Sequence, residues 1–177
     1  MLTIDPNRSL LLVVDFQSRL MPAIHEGGIA VRNTKRLIEA AKLLDIPRLF
    51  TEQNAKGLGP TVAEIPVEQN RLVHKQFFDA CREDGFLDHI SANAHVIVAG
   101  CESHVCVQQT VLGLLRASRK VYVSRDALGS RNPEDKETAI RRMERHGAEI
   151  VTTEMVVFEW LQTADDPRFR TAIQIIK

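Results

Sequence analysis

Cys106 is the residue of this sequence whose type and position point most directly to chemistry. It comes shortly after the apolar run at 95–100 and just before a helical apolar spacing that begins at Val107. Ser103 is a plausible cap for that helix, so the thiol would lie in its first turn. Free backbone N–H groups and the helix dipole there favour the nucleophilic thiolate and could hold an oxyanion. The alternative is a small buried residue that packs the helix against a sheet.

Two charged residues at the ends of apolar runs could act together with Cys106. Asp15 could take the thiol proton or orient the base that does so, although it could equally be a turn residue. Lys75 precedes two phenylalanines, where an ammonium group needs an anionic partner such as Asp15 or a Cys106 thiolate. The alternative is a surface lysine whose stem covers apolar area. Together the three residues would form a site in which Lys75 stabilises two anions and the sulfur attacks an electrophilic carbon.

Six short apolar runs, typical of strands, would have to bring these residues together. Several runs lack polar alternation, which indicates strands that are covered on both faces. The runs are 10–15, 48–51, 72–75, 95–100, 121–125 and 149–152.

Helical patterns lie between several of these runs. Apolar stripes cover 37–44 and 107–115, a capped helix begins at Asn132 and stops at Gly147, and another begins at Asp166. Strands that alternate with helices predict parallel crossover units in an α/β fold. Sites in such sheets form at the carboxyl ends of strands, where Asp15, Lys75 and the segment 102–106 would meet.

Composition excludes several classes of protein. A chain of 177 residues suggests one domain, residues 1–177. Its 23 basic residues equal its 23 acidic residues, which argues against nucleic acid or an acidic membrane surface as a partner. There is no apolar run long enough to span a membrane, and no secretory signal is visible at the start. Three cysteines without such a signal predict reduced thiols in a cytoplasmic protein.

Four motifs make the sequence resemble the isochorismatase-like cysteine hydrolases over nearly the whole chain. Their order, spacing and position at strand ends all match the family. They are VVDFQ at 13–17, HKQFF at 74–78, VAGCESHVCV at 98–107 and SRDA at 124–127. The segment 51–60 and the segment 166–169 are similar to a less characterised subgroup, the isochorismatase domain-containing proteins and their bacterial relatives.

The resemblance implies a three-layer α/β/α sandwich around a mostly parallel, six-stranded, Rossmann-like sheet. It also implies a catalytic triad of Asp15, Lys75 and Cys106, and a small-molecule substrate. Nicotinamidases and N-carbamoylsarcosine amidohydrolases of this family cleave C–N bonds of small amides through a cysteine thioester. Such proteins usually carry a cis peptide after the fourth strand, here at Cys101–Glu102. The oxyanion would be held by backbone N–H groups around Glu102 and Cys106. The resemblance further implies a homo-oligomer, a dimer or larger.

The sequence also suggests which side chains could meet a substrate. Gln17 could touch the substrate or support the loop of Asp15. Four further residues could line the pocket, although phenylalanine in this setting is often core: Phe16, Phe77, Phe78 and His104. The segments 18–28 and 54–64 would shape the pocket, but they carry no recognisable code for a particular substrate.

Two departures from the family pattern bear on the activity. Nicotinamidases place an Asp-x-His metal motif where this chain reads TEQN at 51–54, and its six histidines show no close metal-ligand spacing. We therefore expect no catalytic zinc, no cofactor and no nicotinamidase activity. True isochorismatases cleave a vinyl ether and do not need a cysteine nucleophile, so Cys106 favours acyl-type chemistry.

Two alternatives of a different class stay open. The protein could be an idle family member used for binding or as a scaffold, although its triad is intact. It could also be a thiol redox protein that uses Cys101 and Cys106, although their spacing is not that of a C-x-x-C motif. The pattern assigns no role to Cys81.

Overall fold

Six short strands form the centre of the computed structural model, which describes residues 2–177. Their bounds are β1 Ser9–Val14, β2 Arg48–Gln53, β3 Leu72–Lys75, β4 His95–Cys101, β5 Lys120–Gly129 and β6 Glu149–Val151. They pair in the order β3-β2-β1-β4-β5-β6, and every neighbouring pair is parallel. The predicted six-stranded α/β sheet is therefore confirmed.

Helices cover both faces of this sheet. Their bounds are α1 Gly27–Leu43, α2 Ala55–Leu58, α3 Gln108–Arg116, α4 Pro133–Arg145, α5 Thr153–Leu161 and α6 Phe169–Ile176. One apolar core lies between the sheet and α1, α5 and α6, and a second lies between the sheet and α3 and α4. These two cores make the three layers that the family resemblance implies.

Strand β1 shows why the sequence lacks polar alternation. All six of its residues are buried, and successive side chains point to opposite faces of the sheet. Leu11 and Val13 pack into the first core, whereas Leu10, Leu12 and Val14 pack into the second. A strand buried on both faces is therefore mostly apolar, and Ser9, its one polar residue, donates its hydroxyl to the carbonyl of Asp5.

The parallel registers bring the chemically interesting segments to one edge. Val14 pairs with Thr51 of β2 and with Gly100 of β4, and Gln53 of β2 pairs with Lys75 of β3. The carboxyl ends of four neighbouring strands therefore lie side by side. Gly100 is required there, because a Cβ at this position would lie 2.6 Å from the Cβ of Val14.

The structure differs from the sequence prediction at the start of the helix that carries Cys106. Ser103 does not cap this helix, because its hydroxyl donates to the carbonyl of Gly129 instead. The cap residue is Glu102, whose side chain makes no capping hydrogen bond, and a π-helical turn over Ser103–Val107 leads into α3. Cys106 still lies within the first turns of the helical segment.

Several further elements were not predicted in full, among them α2 and the part of α1 before residue 37. Helix α5 is apolar on nearly all sides, so it lacks the one-sided periodicity that marks a surface helix. Strand β5 continues through an irregularity in its pairing with β4 as far as Gly129. Among residues 2–177, no helix is both long enough and apolar enough to cross a bilayer.

Candidate active site

A buried ion pair lies at the carboxyl ends of the strands. The Nζ of Lys75 donates to the Oδ2 of Asp15 over 2.7 Å, and each residue is only 1% exposed. Thr51 donates its hydroxyl to the other oxygen, Oδ1 of Asp15, over 2.6 Å. Asp15 follows β1 with a left-handed backbone (φ 53°), a conformation that aspartate tolerates better than most residues. The structure therefore places Lys75 in the interior, where it is paired with a fixed carboxylate.

The ammonium group of Lys75 has acceptors for all three of its protons. Besides Asp15, it donates to the Oε1 of Gln53 over 2.7 Å and contacts the carbonyl of Phe77 at 3.5 Å. A buried charge is tolerated when it is paired and hydrogen-bonded in this way. Lys75 is consequently held in one position, directed at the carboxylate.

Gln53 is a member of this site that the sequence analysis missed. Its Nε2 donates to the carbonyl of Gln76 over 2.7 Å, which turns Oε1 towards Lys75. The same Oε1 lies 4.0 Å from the Sγ of Cys106. A neutral amide carries no chemical signal in a sequence, but Gln53 leaves the end of β2 in register with Lys75. That register is the signal which could have pointed to it.

Cys106 is buried beside this ion pair, and its environment opposes the release of the thiol proton to solvent. Burial, followed by the negative charge of Asp15, raises the pKa of the thiol to about 12, while Lys75 acts in the opposite direction. The sequence predicted a thiolate from the helix start and from the charge of Lys75. In the structure, the desolvation of the sulfur raises the pKa of the thiol more than the nearby ammonium group lowers it. The thiol is therefore protonated at neutral pH.

Proton transfer within the site avoids this cost. If the thiol proton moves to Asp15, the ion pair Asp15–Lys75 is replaced by an ion pair between the sulfur and Lys75. The net charge of the buried group does not change, so no additional charge is desolvated. The arrangement can therefore supply a thiolate during a reaction while keeping a neutral thiol at rest.

The segment that precedes Cys106 has an unusual backbone. The peptide bond between Cys101 and Glu102 is cis, at the position where the family resemblance places it. The N–H groups of Val105 and Val107 both donate to the carbonyl of Glu102 over 3.1 Å. Its carboxylate accepts from the side chain of Arg131 over 2.8 Å. An oxyanion site at the N–H groups of Glu102 and Cys106 stays a prediction.

A cavity of about 370 Å³ opens beside Asp15, Gln53 and Cys106. Its apolar wall comes from Leu20, Ala23, Leu58, Phe78 and Val105, and its charged side chains include Arg19, Glu102 and Arg131. The segments 18–28 and 54–64 contribute four of these residues, as predicted. The site can accommodate a small molecule with its reacting carbon near the sulfur.

Of the five residues predicted to meet the substrate, the structure places only Phe78 in the lining of this cavity. Phe16 is buried in the first core. Phe77 is half exposed, and the guanidinium of Arg82 lies 4.6 Å from the centre of its ring. The Nδ1 of His104 lies 3.1 Å from the hydroxyl of Ser130, outside the cavity lining.

Gln17 holds the loop of Asp15 in place. Its Nε2 donates to the carbonyls of Gln53 and Gly59, and its Oε1 accepts from the backbone N–H of Gln53. All of its hydrogen-bonding atoms face the protein interior. Of the two roles suggested by the sequence, this geometry corresponds to loop support.

The other two cysteines lie outside the cavity lining. All three cysteines are free thiols, with Cys101 buried and Cys81 partly buried. Burial raises the pKa of Cys101 above its ordinary range and raises the pKa of Cys81 to about 12. Within the described part of the chain, no group of three or more His, Cys, Asp or Glu residues is arranged to hold a metal ion.

Known proteins resemble this chain along nearly its whole length. Residues 9–155 match the family model described as Isochorismatase domain. The chain is 35% identical over 175 residues to Isochorismatase domain-containing protein 2A of Mus musculus, covering 97% of this chain and 84% of that protein. It is 32% identical over 181 residues to Isochorismatase family protein 1A of Dictyostelium discoideum, covering 97% and 87%. The structure of MAR1 ribonuclease from Caenorhabditis elegans superposes with a TM-score of 0.90 at 34% identity, covering 98% and 92%.

Proposed function

The chain belongs to the isochorismatase family of hydrolases, and on this premise we propose that it hydrolyses a small amide or related acyl compound through a thioester on Cys106. The observation that carries the proposal is the buried Asp15–Lys75 ion pair, joined by 2.7 Å, beside the Cys106 thiol. A carboxylate and an ammonium group next to a sulfur supply a base, a charge partner and a nucleophile.

In the first half of the proposed reaction, Asp15 takes the thiol proton as the sulfur attacks the carbonyl carbon. Lys75 stays protonated and stabilises the sulfur while Asp15 is neutral. The carbonyl oxygen becomes an oxyanion that backbone N–H groups stabilise. Asp15 then gives its proton to the nitrogen as the C–N bond breaks, which releases the amine and leaves a thioester.

The second half of the reaction restores the enzyme. Asp15, again a carboxylate, takes a proton from a water molecule that attacks the thioester carbon. As the C–S bond breaks, the proton returns to the sulfur and the acid product leaves. One carboxylate can serve both halves because each half ends with its proton returned.

RNA cleavage is a second candidate, because the C. elegans structure at 34% identity is that of a ribonuclease. Two observations favour the small-molecule reaction. The cavity of about 370 Å³ has a largely apolar wall, and the chain carries equal numbers of basic and acidic residues, 23 each. Proteins that bind nucleic acid usually present an excess of positive charge to the phosphates.

A panel of small amides with detection of released ammonia or amine tests the proposal. We expect hydrolysis of at least one amide, and we expect Cys106→Ala to lower kcat/KM at least about a thousandfold. Cys81→Ser is the matched control, because that thiol is partly exposed and lies outside the cavity. Full activity in the Cys106→Ala variant would overturn the proposal. Cleavage of RNA that depends on Cys106, without amide hydrolysis, would favour the second candidate.

A further inference from the structure

The charged side chains of the cavity leave one cation without an anionic partner. Asp15 is paired with Lys75, and Glu102 is paired with Arg131 over 2.8 Å. Arg19 lies in the same lining, and none of the ion pairs between residues 2 and 177 includes it. The cavity beside Cys106 therefore has an excess of one positive charge.

Arg19 is held in place by neutral partners. Its Nη1 donates to the carbonyls of Lys56 and Gly57 over 3.3 and 3.1 Å, and its backbone N–H donates to the carbonyl of Leu58. A guanidinium group has five N–H donors, so these contacts leave the Nε and Nη2 donors available. The side chain is positioned by the protein, but its charge is not neutralised by it.

The remainder of the wall is mostly apolar, and Arg19 itself is exposed to solvent. Leu20, Ala23 and Leu58 line the cavity together with Arg19. An anion can therefore reach the guanidinium from solvent, and water screens part of the resulting attraction. A planar guanidinium also matches the two oxygens of a carboxylate better than an ammonium group does.

We propose that Arg19 determines specificity by binding a carboxylate of the substrate, so the preferred substrates are small amides or acyl compounds that also carry a carboxylate. The preference for carboxylated substrates rests on the proposed function, whereas the binding of a carboxylate by Arg19 concerns the cavity itself. The amide carbon would lie near Cys106 and the carboxylate near Arg19. Arg131 differs from Arg19 because Glu102 already neutralises it.

Paired alkylating reagents test the anion-binding part without a substrate. The probes are iodoacetate with iodoacetamide, and longer ω-iodo acids with their matching amides. The rate of modification at Cys106 is followed by peptide mass spectrometry, and the acid-to-amide rate ratio is compared between variants. We expect Arg19→Gln to lower this ratio about two- to fivefold for the acid that reaches Arg19, as for an exposed ion pair. Arg19→Lys should restore part of it.

Arg141→Gln is the matched control, because Arg141 is an exposed residue of α4 outside the cavity lining and its replacement removes the same charge. We expect it to leave the ratio as in the unmodified protein. An equal ratio in the unmodified protein and the Arg19→Gln variant at every chain length would overturn the proposal. An equal fall of the acid-to-amide ratio in the Arg141→Gln variant would also overturn the proposal, because the effect would then come from the net charge of the protein.

Turnover of amides separates the two proposals from one another. Monoamides of short dicarboxylic acids are compared with neutral amides of the same length. We expect Arg19→Gln to raise KM about two- to fivefold more for the carboxylated amides than for the neutral ones. If no amide is hydrolysed, the proposed function fails while the alkylation ratio still decides the role of Arg19. If amides are hydrolysed without preference for a carboxylate, the role of Arg19 is overturned and the proposed function stands.

Discussion

At the scale of single residues, the site depends on which of three buried groups holds one proton. Asp15 and Lys75 form the charged pair at rest, and Cys106 is neutral because burial raises its pKa to about 12. A free thiolate would add an uncompensated charge to the interior, whereas transfer of its proton to Asp15 would not. The carboxylate and the ammonium group therefore act on the pKa of the thiol in opposite directions.

Asp15→Asn and Lys75→Met are predicted to shift the pKa of Cys106 in opposite directions. Asp15 raises this pKa and Lys75 lowers it, so the first change lowers the pKa below about 12 and the second raises it. Both variants should nevertheless lose activity, Asp15→Asn by about a hundred- to ten-thousandfold, as for loss of a general base. The thiolate absorbance, titrated against pH and corrected with Cys106→Ala, measures the pKa. Shifts of the same sign in the two variants would contradict the account.

The site residues differ in how well a sequence can reveal them. Asp15 and Cys106 are reactive residues that follow the buried strands β1 and β4, and such residues stand out against apolar runs. Lys75 is itself the last residue of the edge strand β3, whose other residues are partly buried or exposed. Gln53 does not stand out, because a neutral amide at a strand end is common and its contact with Lys75 depends on side-chain rotamers. The protonation state of Cys106 was also beyond the sequence, because it depends on the depth of burial.

At the scale of elements, the site depends on how closely β1 and β4 approach each other. Asp15 directly follows β1, and the segment that carries Cys106 directly follows β4. The pair Val14–Gly100 is the last one between these strands before the site. A side chain at position 100 would therefore disturb the spacing between the carboxylate and the thiol.

Gly100→Ala is predicted to destabilise the fold and to lower activity. Its Cβ would lie 2.6 Å from the Cβ and 2.7 Å from the carbonyl oxygen of Val14, so the strands must move apart. Overpacking of this kind costs about 1–3 kcal/mol in the free energy of unfolding. Gly28→Ala in α1 is the matched control, since a Cβ there meets nothing within 4 Å. Urea denaturation measures both, and equal midpoints for the two variants would show that the β1–β4 contact tolerates a side chain.

Much of the element pattern was predictable, and the exceptions have physical reasons. The central strands could be predicted because a sheet covered on both faces leaves uninterrupted apolar runs. The edge strands β3 and β6 are short and partly exposed, and they were marked only by brief apolar runs. Helix α4 was marked by the cap at Asn132, whose side chain accepts from the N–H of Glu134. Helix α5 also has a cap, Thr152, whose side chain accepts from the N–H of Met155, but its apolar residues lie on both sides and show no helical periodicity. The turn at Ser103 depends on a tertiary hydrogen bond to Gly129, which local sequence does not encode.

Across the whole molecule, the site at the carboxyl ends of the strands is supported by a sheet that lies between two apolar cores. At the amino ends of the strands, polar contacts connect the N-terminal segment to the sheet. There the Nδ1 of His95, a buried residue of β4, accepts the backbone N–H of Asp5 over 3.0 Å. Burial, with Lys120 and Arg8 nearby, lowers the pKa of His95 below 6.5.

His95 is predicted to make the fold less stable in mild acid. Because its pKa is lower in the folded chain, the unfolded chain binds more protons just below about pH 6.5, and stability falls with pH there. Above that range the contribution is fully present. His95→Asn removes the titrating group and keeps an acceptor, so it should lose less stability than the unmodified protein between neutral and mildly acidic pH. Urea midpoints at neutral and at mildly acidic pH measure this loss of stability. An equal loss in the His95→Asn variant would show that other groups are responsible.

The family resemblance predicts a homo-oligomer, and the structure of one chain leaves apolar side chains exposed on α5, including Met155. Trp160 of the same helix is buried within the chain and donates to the hydroxyl of Ser9. We expect light scattering to give a mass of at least two chains, and Met155→Glu to weaken association by placing a charge in an apolar contact. A monomer at all concentrations would contradict the prediction.

Trapping the intermediate shows whether Cys106 carries the acyl group during hydrolysis. The protein is mixed with a hydrolysed amide, quenched in acid and digested for peptide mass spectrometry. We expect the mass of the acyl group on Cys106, its loss as hydrolysis finishes, and no such adduct in Cys106→Ala. An acyl group on another residue, or continued hydrolysis in the Cys106→Ala variant, would contradict this expectation.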